Sequence, residues 1–412
     1  MQNQGLYHKA NTLRARGQCS IQPQRSERQE TRPRINAAGM TDARKHSTIE
    51  TMRKEIAEQT YTIIRVPARW GKDIERSLNL AVAEQLGLYR VPGIIAGLWM
   101  EGLGEWVGTA GLADRGTGRA PNPSDKVRIG SITKTFTATA ILRLADKGLL
   151  SIDDPLSRWE PWIPGSERIL LRHLLNMTSG LVNYTDLEAF WAKIKADPGA
   201  RWAPKDMVEM AAADSPRFAP GTQAEYNNTN YILLGMIIEK AGGMSVSDYF
   251  SEEIAQPLGL ENTYLPEDKK IPEPFMRGYT TPAGDDPESA NLVEQSFYSP
   301  SSSWTAGGMI GTLGDLKKWM DALSSGSLLS PGMHGQQLDF SMPGTDDYGL
   351  GVMRGGTLIG HAGEVPGYNA SMYRHRSLGL TGIVLTNRYP GPSKGMADRI
   401  NVALMKTLAL RH

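Results

Sequence analysis

Ser131 and Lys134 lie three residues apart, and their side chains are of the types that carry out nucleophilic catalysis. Residues i and i+3 share a face of a helix, so the lysine amine can approach the serine hydroxyl. A lysine removed from water can lose its proton near neutral pH and act as a base. Gly130 and the apolar residues that follow favour a buried helix start, whose free N–H groups would stabilise a developing alkoxide. On its own the pair fits a capped surface helix equally well.

A second group of chemically capable residues follows at Tyr226, Asn227 and Asn228, before an apolar helical pattern. A tyrosine beside a lysine and another cation can have a lowered phenol pKa and can relay protons. The amide of Asn228 could donate to the carbonyl of a substrate and hold Lys134 in place. The alternative is an Asn-rich turn that caps the next helix.

The third group is His361-Ala362-Gly363, at the end of a strand-like stretch. Small residues on an edge strand let a substrate approach the backbone closely, and the backbone N–H groups can then bind an oxyanion. The chain has seven histidines. A single histidine is more often an ordinary polar residue than a functional one.

The order and spacing of the three groups resemble those of the serine β-lactamase and penicillin-binding protein superfamily. The resemblance is to D-alanyl-D-alanine carboxypeptidases, class C β-lactamases, and their family VIII esterase and D-aminopeptidase relatives, and it covers about residues 75–410. It extends to four flanking runs: 128–131, 174–181, 220–221 and 307–308.

The resemblance implies a role for each residue of the three groups. Ser131 would attack a carbonyl and form an acyl-enzyme, while Lys134 and Tyr226 move the proton. Asn228 would orient the substrate. His361 would replace the lysine of the more common Lys-Thr-Gly run and supply a hydrogen bond or a charge beside Tyr226.

Three further substrate-binding residues are implied by the same resemblance. The backbone N–H groups of Ser131 and Glu364 would form the oxyanion hole, with Gly363 allowing close approach. Trp304 falls where relatives place an aromatic pocket wall, and a core tryptophan is the competing interpretation.

Two departures from the family pattern concern the binding of a substrate carboxylate. The run His361-Ala362-Gly363-Glu364 lacks the hydroxyls that hold a carboxylate in the carboxypeptidases, and it adds a negative charge. Met353 takes the position where close relatives have an arginine, and Arg354 falls on the opposite strand face. A neutral ester or amide, or a substrate with a free amine that Glu364 could pair with, is therefore expected.

The predicted function is a serine hydrolase that acts through an acyl-enzyme on an ester or amide. One alternative is a D-alanyl-D-alanine carboxypeptidase or class C-like β-lactamase, and another is a non-catalytic penicillin-binding sensor or scaffold. No metal-binding, phosphate-loop or dinucleotide motif is present, so no metal and no cofactor are expected.

Composition excludes several other classes of partner. The formal net charge is +1, so no global field favours nucleic acid or an anionic membrane. No apolar run is long enough to span a bilayer. The expected partner is a small-molecule or peptide substrate, and the oligomeric state is not readable.

Residues 1–70 are polar and rich in arginine, and they are predicted to be a disordered leader. Met40 could be the true start of translation. No secretory signal is visible, so the cytoplasm is the default location, although exported relatives are common.

The predicted fold is α+β and β-lactamase/transpeptidase-like, with an antiparallel sheet flanked by helices and an inserted all-helical subdomain. A single domain, 71–412, is expected, its α/β part at about 71–128 and 291–412 and its helical part at about 129–290. Strands are predicted at 93–100, 106–112, 348–353, 357–361, 368–374 and 380–386, and helices at 74–86, from Ser131 to about 150, and at 170–177, 204–213, 228–241, 315–324 and 395–410.

Overall fold

The structure, a computed structural model, describes residues 71–409 apart from 283–284, 287–288, 342–346 and 390–394. The leader predicted for residues 1–70, including Met40, lies outside the described residues. A six-stranded sheet forms the framework, with strand order β2-β1-β10-β9-β8-β7 and every neighbouring pair antiparallel. The strands are β1 (Gly93–Met100), β2 (Gly104–Gly111), β3 (Val127–Arg128), β4 (Tyr279–Thr280), β5 (Val293–Glu294), β6 (Ile310–Gly311), β7 (Met353–Gly355), β8 (Leu358–Val365), β9 (Tyr368–His375) and β10 (Leu380–Thr386).

The helices of the described residues cover both faces of this sheet. They are α1 (Lys72–Tyr89), α2 (Thr133–Asp146), α3 (Leu171–Leu175), α4 (Glu188–Ala196), α5 (Pro204–Ala212), α6 (Asn228–Gly242), α7 (Val246–Phe250), α8 (Gln256–Leu258), α9 (Trp304–Gly307), α10 (Leu313–Ser325), α11 (Pro331–Gln337) and α12 (Met396–Ala409). None of these helices is long and apolar enough to cross a bilayer.

Strand alternation divides the buried side chains between two cores. On β1, Ile94 and Leu98 face a smaller core that α1 and α12 complete, whereas Ile95 faces the larger core on the helical side. Both faces of β1 are therefore buried, which explains why its sequence is a continuous apolar run. The antiparallel sheet, its flanking helices and the helical region between its two halves agree with the predicted fold.

Local sequence signals explain where several helices begin. The side chain of Asn227 accepts a hydrogen bond from the backbone N–H of Asn230 at the start of α6. The side chain of Thr312 does the same for Asp315 at the start of α10. Each side chain satisfies one of the N–H groups that the first turn of a helix leaves free.

The strand predicted over 348–353 is wrong. This segment is a turn in which the N–H of Gly349 donates to the carbonyl of Val352 at 2.8 Å, and β7 begins only at Met353. Gly351 has a φ of +79°, a conformation that an extended strand does not contain. The apolar and aromatic residues of the segment resemble a strand because they pack inward from the turn.

Candidate active site

Ser131 lies in a single 3₁₀ turn, Gly130–Ile132, that leads directly into α2. The turn follows β3, which pairs with β6 and fixes its direction. Gly130 has a φ of +54°, and a Cβ atom there would lie 2.6 Å from the backbone nitrogen of Glu364. The serine is therefore held at a helix start against β8, where only glycine leaves enough room.

Lys134 is completely buried one turn after Ser131. Its Nζ lies 3.0 Å from Oγ of Ser131, 2.7 Å from Oδ1 of Asn228 and 2.7 Å from the carbonyl oxygen of Ala306. Burial lowers the pKa of Lys134 well below its usual value, because the ammonium form loses its hydration. In the neutral form the amine donates to Asn228 and Ala306, and its lone pair faces the hydroxyl of Ser131. That arrangement suits a general base.

Tyr226 reaches the same serine from the other side. Its phenol hydrogen-bonds with Ser131, and Nζ of Lys134 lies 4.7 Å from the centre of its ring. The sequence-based expectation of a lowered phenol pKa is wrong, because desolvation raises it and the Ser131 hydrogen bond only partly opposes that effect. The residue as a whole is 40% exposed, so its outer ring edge faces the cavity. Tyr226 is therefore a phenol near neutral pH and can donate a proton.

Asn228 is fixed at the first position of α6 by three contacts. Its Oδ1 accepts from Lys134, its Nδ2 donates to Oγ1 of Thr185 at 3.0 Å, and its backbone N–H donates to Oδ1 of Asn183 at 3.0 Å. The second hydrogen of Nδ2 remains for a substrate.

His361 is buried, with an exposed fraction of 1%. Its Nε2 lies 3.0 Å from the hydroxyl of Tyr348, and its Nδ1 lies 2.6 Å from the carbonyl oxygen of Ala362. Burial, together with the nearby Lys134, lowers the pKa of His361 to about 3. The expectation that His361 supplies a charge beside Tyr226 is therefore wrong near neutral pH, and its ring centre lies 6.3 Å from that of Tyr226.

The backbone of β8 runs directly past the turn that carries Ser131. In the two-residue hairpin that joins β8 to β9, Val365 and Tyr368 flank the turn, so the N–H of Glu364 points away from β9. It faces the turn that carries Ser131. The N–H of Glu364 is thus placed beside the serine turn, as one donor of an oxyanion hole would be.

Gly363 makes this close approach possible. A Cβ atom at Gly363 would lie 1.9 Å from the carbonyl oxygen of Ile129, a backbone atom that cannot rotate away. We expect Gly363→Ala to move β8 off the serine turn, lowering the free energy of unfolding by about 1–3 kcal/mol and kcat by about 10²–10³-fold. Gly355→Ala on β7 is the matched control, because nothing lies within 4 Å of its Cβ position. Thermal unfolding and ester hydrolysis measure both effects, and equal behaviour of the two variants would contradict the assignment.

The side chain of Glu364 points toward the C-terminal helix. Its Oε1 accepts from Nδ2 of Asn369 at 3.0 Å and from the N–H of Gly395 at 3.0 Å. Even so, Glu364 and Asp398 both line the cavity that contains Ser131. Burial, reinforced by the charge on Glu364, raises the pKa of Asp398 to about 6. This end of the cavity is acidic.

The cavity has a volume of about 550 Å³. One wall is apolar and comes from α4, which contributes Phe190, Trp191 and Ile194. Trp304 is not among the lining residues, and the end of its indole ring packs against Gly235 of α6. The structure therefore corrects the pocket-wall expectation for Trp304: this tryptophan packs against the core, and Trp191 takes the wall.

The positions of Met353 and Arg354 agree with the expectation that neither residue binds a substrate carboxylate. Met353 lines the cavity, whereas the guanidinium of Arg354 lies 4.8 Å from the ring centre of Phe340. The described residues that line the cavity include no arginine and no lysine. The described part of the chain also brings no three His, Cys, Asp or Glu side chains together in a metal-binding group.

Sequence reasoning missed Trp191 and Tyr348 as residues of the site. Trp191 lies on an amphipathic helix whose position over the cavity is set by distant packing, so no local signal marks it. Tyr348 begins a Tyr-Gly-Leu-Gly run whose glycines predict a turn, and that signal could have been used.

Comparison with known proteins agrees with this geometry. The sequence profile of the Beta-lactamase family matches residues 78–405. Penicillin-binding protein 4* of Bacillus subtilis (strain 168) is 29% identical over 68% of this chain, which spans 64% of that relative's length. Esterase EstB of Burkholderia gladioli is 28% identical over 73% of the chain and 86% of its own. The structure of a D-stereospecific amidohydrolase from Streptomyces sp. superposes with a TM-score of 0.71 at 30% identity, covering 79% of this chain and 98% of its own.

The family match spans most of the chain and contains every residue of the serine, lysine, tyrosine and histidine cluster. The similar proteins are named as a penicillin-binding protein, an esterase and an amidohydrolase. The chain therefore belongs to the Beta-lactamase family, and its serine, lysine and tyrosine lie together on the shared fold.

Proposed function

We propose that this enzyme hydrolyses amides and esters whose acyl group carries a free amine near the carbonyl. The observation that carries the proposal is the acidic end of the cavity, where Glu364 and Asp398 lie on the same lining as Ser131. A protonated amine is complementary to that end, and a substrate carboxylate would be repelled by it. The similarity to a D-stereospecific amidohydrolase supports the hydrolysis of amides.

The residues of the site supply each proton transfer of such a reaction. Oγ of Ser131 attacks the carbonyl carbon while its proton passes to Nζ of Lys134, and the N–H groups of Ser131 and Glu364 stabilise the oxyanion. As the C–N or C–O bond breaks, the leaving group takes a proton through the phenol of Tyr226, which Lys134 replenishes. Water then attacks the acyl-enzyme and its proton passes to Lys134. As the bond between the acyl carbon and Oγ breaks, Lys134 gives that proton to Oγ, which releases the acid and restores the hydroxyl of Ser131.

A second candidate is the hydrolysis of simple uncharged esters, which the similarity to esterase EstB favours. The apolar wall from α4 accommodates an acyl chain without any charge. A D-alanyl-D-alanine carboxypeptidase or a β-lactamase must bind a free carboxylate, and the described cavity lining offers no cation for it. These two activities are therefore the less favoured alternatives.

Replacing Glu364 by Gln tests the role of its charge. Glutamine keeps the acceptor for Asn369 and Gly395, so the local structure should persist. For D-phenylalanine p-nitroanilide we expect kcat/KM to fall about 10–100-fold, in line with the value of a charged hydrogen bond. For the N-acetylated anilide, which carries no charge, little change is expected. Glu261→Gln, at an exposed position, is the matched control.

Two results would overturn the proposal. One is equal hydrolysis of the free and acetylated anilides by the unmodified enzyme, which would leave simple ester hydrolysis as the better account. The other is preferential cleavage of a D-Ala-D-Ala peptide, which would show that a carboxylate is bound after all.

A further inference from the structure

Tyr348 and His361 form a buried pair directly behind the catalytic residues. Both side chains are largely inaccessible, with exposed fractions of 8% and 1%. The tyrosine hydroxyl lies 3.0 Å from Nε2 of the histidine. The rings of Tyr348 and Tyr226 meet edge to face, with their centres 6.2 Å apart. Tyr348 therefore contacts both His361 and the tyrosine that serves Ser131.

The partners of the imidazole fix which nitrogen carries the hydrogen. Nδ1 lies 2.6 Å from the carbonyl oxygen of Ala362, which can only accept, so the hydrogen of the neutral ring is on Nδ1. Nε2 is then the acceptor, and the hydroxyl of Tyr348 donates to it. Each ring nitrogen has a hydrogen-bond partner, so neither is available to Tyr226.

Tyr348 is itself held in place by the turn that it begins. The N–H of Gly351 donates to the carbonyl of Leu175 at 3.2 Å, and the hydroxyl of Tyr231 donates to the same carbonyl at 2.8 Å. Gly351 lies so close to α2 that a Cβ atom there would be 2.2 Å from the side chain of Ala138. The turn is thus packed against the helix that carries Lys134, and the position of Tyr348 follows that helix.

The charge on His361 affects how readily Lys134 accepts a proton. The titratable side chains that face it are Lys134 on α2, Tyr226 and Tyr348, and of these Lys134 gains a positive charge during acylation. A second cation at His361 would oppose the transfer of a proton from Ser131 to Lys134. A neutral imidazole, held on both sides, avoids this repulsion.

We propose that Tyr348 is a positioning residue that holds the neutral ring of His361 in place, with its hydrogen on Nδ1, so that Lys134 can accept the proton of Ser131. The role concerns the proton transfer and does not depend on which ester or amide is the substrate. It assigns a function to the Tyr-Gly-Leu-Gly turn that begins at Tyr348.

A double-mutant cycle tests the proposal with a p-nitrophenyl ester as substrate. We expect Tyr348→Phe to lower kcat about 10–100-fold with little change in KM. In a His361→Asn background the same substitution should lower kcat no more than about 2-fold. An equal loss in both backgrounds would show that Tyr348 acts independently of His361 and would overturn the proposal. Tyr368→Phe, a buried tyrosine that donates to the carbonyl of Met276, is the matched control.

A measurement on the unmodified enzyme keeps the proposal testable if Tyr348→Phe does not fold. Two-bond ¹H–¹⁵N spectra report the protonation of each imidazole nitrogen, and His361→Asn identifies the signals of His361. We expect a protonated Nδ1 and an unprotonated Nε2 throughout pH 5–8. A hydrogen on Nε2, or a titration of His361 in that range, would contradict the proposed role.

Discussion

Ser131→Ala is expected to abolish hydrolysis of every ester and amide that the enzyme accepts, with kcat lowered about 10⁴-fold or more. The substitution removes the atom that forms the acyl-enzyme, and neither the oxyanion hole nor the base can replace it. Folding should hardly change, because the hydroxyl is a single partner of Lys134, which keeps its contacts with Asn228 and Ala306.

The measurements for this variant are kcat with a p-nitrophenyl ester and the midpoint of thermal unfolding. Ser327→Ala, at an exposed loop position, is the control and should match the unmodified enzyme. Hydrolysis by Ser131→Ala within tenfold of the unmodified enzyme would mean that another group attacks the substrate.

Lys134→Met is expected to lower kcat about 10³-fold or more while leaving the fold intact. Methionine fills a similar volume but cannot accept the proton of Ser131. In the unmodified enzyme kcat/KM should rise with pH until the Lys134 amine has lost its proton, since only that form is a base. The variant should lack this rise. A Lys134→Met variant with normal activity and an unchanged pH profile would exclude Lys134 as the base.

Lys134→Met lowers activity but is expected to raise the free energy of unfolding. Burial lowers the pKa of Lys134 in the folded state, so the unfolded chain binds more protons between that pKa and the usual lysine value of about 10.4. This group therefore makes the unmodified protein more stable as the pH rises through that interval. We expect Lys134→Met to have the higher free energy of unfolding near neutral pH, and we expect this advantage over the unmodified protein to shrink as the pH rises toward 10. Urea unfolding at several pH values measures it, and a difference that grows with pH would contradict the depressed pKa.

The sequence predicted the elements that local pattern alone determines. The strands at Gly93–Met100 and Leu380–Thr386 match their predicted bounds, because each is a short, mostly apolar run between turn residues. The start of α2 is two residues later than expected, since Gly130 forces a 3₁₀ turn around Ser131. The segment beginning at Tyr348 was mistaken for a strand because its packing is set by contacts with α2 that lie far away in sequence.

The site shows the same division between local and distant causes. Ser131 and Lys134 are neighbours on a helix, so their contact follows from spacing. The distances from Lys134 to Asn228 and to Ala306 depend on how distant segments pack. The residue types predict a contact between Asn228 and Lys134, but nothing in the sequence indicates the contact with Ala306. The loss of charge at His361 could not be read from sequence, because it results from complete burial beside Lys134.

The most direct test of the central claim, that Ser131 is the nucleophile of a serine hydrolase, is mass spectrometry after reaction with a fluorophosphonate. Such a reagent phosphonylates an activated serine and leaves a stable adduct. We predict one adduct per chain on the peptide that contains Ser131, hydrolysis lost in proportion to labelling, and no adduct with Ser131→Ala. An adduct on a different residue, or full hydrolytic activity after Ser131 is labelled, would contradict the account.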